Sequence, residues 1–146
     1  MPIAPNHPIE ELFFSVVDEI TDDMAAVIAE AVERLAKSRG WLLHPPEFLY
    51  QEDDTDCILG GTLELYSVMP PLEIPLEAEQ QQWEETNAFV RAFQDLSSKY
   101  HWEFDCFYRN ESIGFIEDGI MNVSLTEGLL GEWKRVIDEK AAKMRG

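Results

Sequence analysis

Leu12-Phe13-Phe14-Ser15-Val16-Val17 is the stretch on which the fold turns. It is short, apolar, aromatic and β-branched, the composition of a buried strand. A helix competes with that reading, because Ile9, Leu12, Phe13, Val16, Val17 and Ile20 also fall at helical spacing. The residues just downstream favour the strand. Thr21-Asp22-Asp23 is a helix start, with a capping hydroxyl and two acids in the first turn. A helix opening there implies that another element has just closed.

That helix is expected over 22–39, with Met24, Val27, Ile28, Ala31 and Leu35 as its apolar stripe and Gly40 just beyond its end. Pro45-Pro46 bars a helix. Phe48-Leu49-Tyr50 and the run from Cys57 to Ser67 read as an antiparallel hairpin around the polar turn Glu52-Asp53-Asp54-Thr55-Asp56. Gly60-Gly61 marks a bulge or a close backbone approach. Pro70, Pro71 and Pro75 then break the chain, and a second helix with an aromatic face is expected over about 76–99. His101 to Tyr108 alternates like a strand, and Ser112 to Ile116 returns beside it. Ser124-Leu125-Thr126-Glu127 is a capping box that opens a last helix. Inside that helix Gly128 and Gly131 each cost ~1 kcal/mol against alanine, a cost that close packing on the sheet would offset.

The order is strand, helix, hairpin, helix, hairpin, helix. It predicts an α+β fold, a two-layer sandwich in which a mainly antiparallel sheet of about five strands carries its helices on one face. The first six elements have the ferredoxin-like order β-α-β-β-α-β, followed by a C-terminal helix. Pro2, Pro5 and Pro8 make residues 1–8 an extended N-terminal arm, and residues 9–146 a single domain.

Charge bounds the partners. The formal net charge is -18, and between Arg39 and Arg91 there is no lysine or arginine, while eleven acidic residues fall in that stretch. Nucleic acid and anionic membranes are recognised by cationic side chains, so both are disfavoured. The chain start, Met1-Pro2-Ile3-Ala4-Pro5, lacks the basic and apolar regions of a secretory signal, and a cytoplasmic protein with Cys57 and Cys106 reduced is expected.

Motifs for chemistry are sparse. There is no nucleophile elbow, P-loop or dinucleotide-binding glycine run, and no cofactor is expected. The acidic turn fails the EF-hand pattern, since the positions that need glycine and a final carboxylate hold Cys57 or Leu59 and Leu63 or Leu65. His101, Glu103 and Asp105 would share one face of a strand and form a weak metal alternative, against the ordinary reading of a solvated face. His7 and His44 show no evident partner.

The leading functional expectation is a small acidic binding protein that engages a basic protein partner, in its most concrete form an immunity or inhibitor protein covering a toxin's basic cleft. Its expected contacts are Glu52, Asp53, Asp54 and Asp56 in the first hairpin turn and Glu84 and Glu85 on the second helix, with Tyr50 and Tyr66 as aromatic anchors. A small carboxylate- or metal-dependent enzyme and a homodimeric assembly module are the alternatives.

Overall fold

The structure, a computed structural model, describes residues 7–52, 57–67 and 74–145. In chain order the elements are β1 (Ile9–Val16), α1 (Asp22–Lys37), β2 (Glu47–Glu52), β3 (Cys57–Tyr66), α2 (Leu76–Tyr100), β4 (Phe104–Tyr108), β5 (Glu111–Glu117) and β6 (Ile120–Met121). A π-helical segment, Ser124–Glu132, then runs into α3 (Trp133–Arg145). The fold is α+β. All strand pairs are antiparallel, in the order β2-β3-β1-β4-β5-β6, so the sheet has six strands rather than about five.

The apolar stretch around Phe14 is a strand. Leu12, Phe14 and Val16 are buried while Phe13 and Ser15 face the other way, which is the two-residue period of β structure. β1 is central, pairing β3 on one side and β4 on the other. On its helical side Phe14 stacks on Phe93 at 4.8 Å and meets Phe89 at 5.6 Å, and Phe93 meets Phe104 edge-on at 5.1 Å. Each of these phenylalanines is fully buried, and burial of such a side chain contributes ~1.5–3 kcal/mol.

α1 begins where its cap is written. The Thr21 hydroxyl accepts from the Met24 amide at 3.2 Å, and Met24, Ile28 and Val32 face the core. α2 is held differently along its length. Phe89, Val90, Phe93 and Leu96 fill the core in its second half, while Glu79, Gln82, Glu85 and Thr86 are buried in its first half. Gln82 accepts from the Tyr66 amide at 2.7 Å and donates to the Tyr66 carbonyl at 2.8 Å, as a neighbouring peptide would. His101 closes α2 in the left-handed conformation, its amide bonded to the Ser97 carbonyl at 2.8 Å.

Three local expectations change. Gly60-Gly61 is a close approach and not a bulge, because the β1–β3 register runs through it unbroken. The irregularity lies instead between Cys106 and Phe107, where Ile113 is the extra residue of β5. The capping box at Ser124 does not form. Val123 occupies the cap position without a side-chain bond, and the Asn122 carbonyl accepts from the Leu125 and Thr126 amides at 3.1 and 3.2 Å. Gly131 follows from the π winding. A Cβ on Gly131 would stand 2.8 Å from the carbonyl oxygen of Thr126, five residues back, whereas one on Gly128 would meet nothing within 4 Å. Close packing on the sheet is therefore not what these glycines serve.

Residues 1–6 of the expected arm lie outside the described residues. His7 is buried, with Nε2 2.5 Å from the Ser67 carbonyl and its ring edge-on to Tyr66 at 5.7 Å, so it does have a partner.

Candidate functional site: the open face of the sheet

The helices cover one side of the sheet only. The register defines what the other side presents. Leu49, Gly60, Ser15, Asp105 and Phe115 form one row across five strands. Glu47, Thr62, Phe13, Phe107 and Ser112 form the next. Beyond them Glu64 stands directly opposite Glu11, and Tyr66 opposite Ile9. Antiparallel sheets with one wet face place polar residues there. Here three phenylalanines occupy that face: Phe13 and Phe107 stack at 4.7 Å and 12°, and Phe115 is 41% exposed.

Around them the charged strand residues are carboxylates, with the His44 imidazole 3.8 Å from Glu64. None of the eleven lysines and arginines of the chain lies in a strand. Nine are on helices, and Arg39 and Arg109 are in connections. Arg109 lies 3.2 Å from Glu10, whose carboxylate also accepts the Tyr108 hydroxyl at the helical side of β1. The cross-strand pair Glu11 and Glu64 brings like charges together, which is destabilising in a sheet. At the far end Asp18, Glu103, Asp105 and Glu117 gather. The Asp18 carboxylate accepts from the Glu103 amide at 2.7 Å.

Titration reflects that crowding. Desolvation holds the Glu103 carboxyl above its ordinary range, reinforced by the charges of Glu117, Asp105 and Asp18. Desolvation alone raises Asp105, and burial raises Glu85. At these three groups the folded state binds protons more tightly than the unfolded state, so their contribution to stability falls as pH rises from the ordinary carboxylate range through the raised values. The melting temperature is expected to be higher near pH 5 than at pH 7, and Glu103→Gln to raise it at pH 7 while shrinking the difference. Thermal melts at the two pH values decide this, and a wild-type melting temperature that drops on acidification to pH 5 contradicts it.

The contacts expected from sequence that are among the described residues do not gather in one place. Glu52 is exposed at the end of β2, where it accepts from the Tyr50 hydroxyl at 2.9 Å. That hydrogen bond is the main reason the Tyr50 phenol is pushed up to about 12. Tyr50 packs against the core on the helical side of β2. Glu84 is exposed on α2, beside Trp83 and Lys134. Glu85 is buried and accepts from the Leu42 amide at 2.9 Å and from Gln81 at 3.0 Å, a structural role that removes it from any contact surface. The length of β3 separates Glu52 from this part of α2, roughly 30 Å at ~3.3 Å per residue. Of those among the described residues, only Tyr66 lies on the open face. Asp53, Asp54 and Asp56 lie outside the described residues.

The metal alternative loses its geometry. β4 starts at Phe104, and His101 is the left-handed cap of α2, with Nδ1 3.2 Å from Asp118. Among the described residues no three His, Cys, Asp or Glu side chains are grouped to hold a metal ion. A groove of about 490 Å³ lies between α1 and α2, and Glu30 and Arg34 on its wall pair with each other at 2.7 Å.

The open-face residues Glu11, Phe13, Phe107, Phe115 and Glu117 escaped sequence reasoning. The signal was a phenylalanine at an outward position in each of three strands, readable only once strand pairing assigns the faces. Comparison with family models, curated proteins and solved structures finds no match to this chain.

Proposed function

We propose that this chain is a small binding protein that receives a basic protein partner on the open face of its sheet. In the most specific form it is an immunity or inhibitor protein that covers a toxin's cationic cleft. One observation carries the reading: a sheet whose strands contain no lysine or arginine turns three phenylalanines away from its core. The carboxylates would steer a cationic partner and speed its association. The phenylalanines would supply the desolvated centre in which binding energy concentrates. A second copy of the chain is disfavoured on the same face, because Glu11, Glu64, Asp105 and Glu117 would meet their own kind. Glu52 and Glu84 belong at most to the periphery of such a contact.

Two finer readings go with this one. The chain order β-α-β-β-α-β and the adjacency β2-β3-β1-β4 support a ferredoxin-like core, extended at one edge by β5 and β6. A cytoplasmic location rests on the free thiols of Cys57 and Cys106. No helix among the described residues is long and apolar enough to cross a membrane.

The test compares faces at constant charge. Proteins retained from the source organism at low salt are measured against wild type, against Glu11→Lys/Glu64→Lys/Glu117→Lys, and against Glu77→Lys/Asp95→Lys/Glu127→Lys on the helices. The expected result is a basic partner whose association slows about tenfold or more with the sheet variant and with added salt, and much less with the helical variant. Equal losses from the two variants, or retention indifferent to salt, would sink the proposal.

A further inference from the structure

The open face is not uniform. On β4 Asp105 sits directly between Ser15 of β1 and Phe115 of β5. Two residues along the same face, Phe107 is stacked on Phe13. Glu103 and Glu117 lie at the other side of Asp105, close enough for their charges to act on one another. Carboxylate and exposed aromatic ring are therefore side by side on neighbouring strands. Among the described residues none of Asp18, Glu103, Asp105 and Glu117 forms an ion pair. The nearby His101 is engaged by Asp118, and Arg109 by Glu10.

A bare cluster of carboxylates would suit any cation. The ring narrows the choice. An ammonium is compact and strongly hydrated, so it gives up more water to sit against Phe115 and offers the carboxylates no planar fork of donors. A guanidinium is planar and weakly hydrated, stacks on an aromatic face, and meets carboxylates through a fork of donors. A metal ion is not served, because these side chains do not converge as ligands.

We propose that the corner formed by Phe115, Asp105, Glu103 and Glu117 is an anchor site for an arginine side chain of the partner, its guanidinium lying on the Phe115 ring and bridging Asp105 to the neighbouring glutamates. This rests on the reading of the open face as the surface for a basic partner, and it adds which cationic residue that surface selects. Phe107 and Phe13 then form the apolar floor for the residues flanking that arginine.

The experiment titrates the isotope-labelled full chain with two peptides of equal length and charge, one alternating glycine with arginine and the other glycine with lysine, and follows amide shifts by NMR. The arginine peptide is expected to bind about two- to fivefold more tightly, with the largest shifts on β4 and β5. Phe115→Leu, which keeps an apolar side chain on an exposed position, should abolish that preference, as should Asp105→Asn. Equal affinity for the two peptides, with shifts still on the open face, overturns the arginine anchor and leaves the basic-partner reading standing. A preference that survives both substitutions also overturns it. Shifts confined to the helices, or no binding of either peptide, overturn both.

Discussion

Gly60→Ala is expected to leave this protein unfolded at 25 °C. A Cβ on Gly60 would stand 1.7 Å from the carbonyl oxygen of Phe14 and 2.7 Å from its carbon, and both are backbone atoms. No rotamer change relieves such a contact. β1 would have to move away from β3, and with it Leu12 and Phe14 at the centre of the core. Losses above ~4 kcal/mol are exceptional for a point substitution and need a mechanism of this kind. Against a total stability of ~5–15 kcal/mol such a loss is decisive. Gly128→Ala is the internal control, since a methyl there meets nothing within 4 Å. Helix propensity makes it neutral or stabilising by up to ~1 kcal/mol. Urea unfolding followed by circular dichroism reads both, and a Gly60→Ala midpoint equal to wild type would contradict the close packing of β1 on β3.

Glu79→Ala should produce the next largest loss. Its side chain is 2% exposed on α2, yet it reaches across to α3 twice. One oxygen accepts from the Trp133 indole at 3.1 Å and the other from Lys140 at 3.0 Å. Breaking a buried ion pair costs ~3–5 kcal/mol. Lys140 keeps 31% of its side chain in solvent, so the expected loss is smaller, about 2–3 kcal/mol. Glu79→Gln retains an acceptor for the indole and should lose less. Hydrogen exchange would show where the effect falls. Faster exchange concentrated in residues 133–145 is the expected pattern, while two variants with wild-type stability would show that other contacts hold α3 in place.

Local signals were legible in the sequence and non-local ones were not. β1 and the Thr21 cap rest on adjacent residues, and both formed as read. Ser124 had the same kind of signal and failed, because helical winding already includes Val123 and the Asn122 carbonyl accepts from the Leu125 and Thr126 amides. The buried polar half of α2 left a trace. Glu79, Gln82 and Thr86 continue upstream the three- and four-residue spacing of Phe89, Phe93 and Leu96. That trace is easily missed, since glutamate and glutamine are rarely buried. Glu85, expected at the acidic contact surface, is buried in the same half of α2.

The site was the harder part. The stretch from Arg39 to Arg91 that lacks positive charge is distributed between both faces of the sheet and the first half of α2. Those of its acids that are among the described residues therefore do not make one surface. The asymmetry that matters is between layers, with every lysine and arginine off the strands. Which strand residues look outward depends on pairing between distant segments, and a shift of one residue would reverse every face. Phe13, Phe107 and Phe115 become a surface only through the β1–β4–β5 register.

Zero-length carbodiimide cross-linking between this protein and the captured partner reports directly which carboxylates lie against the partner's lysines. Links at Glu11 and Glu64, which lie on the open face beyond the arginine corner, are the expected result. Links confined to Glu30, Glu33, Glu127 and Glu139, which lie on the helices, would contradict docking on the open sheet.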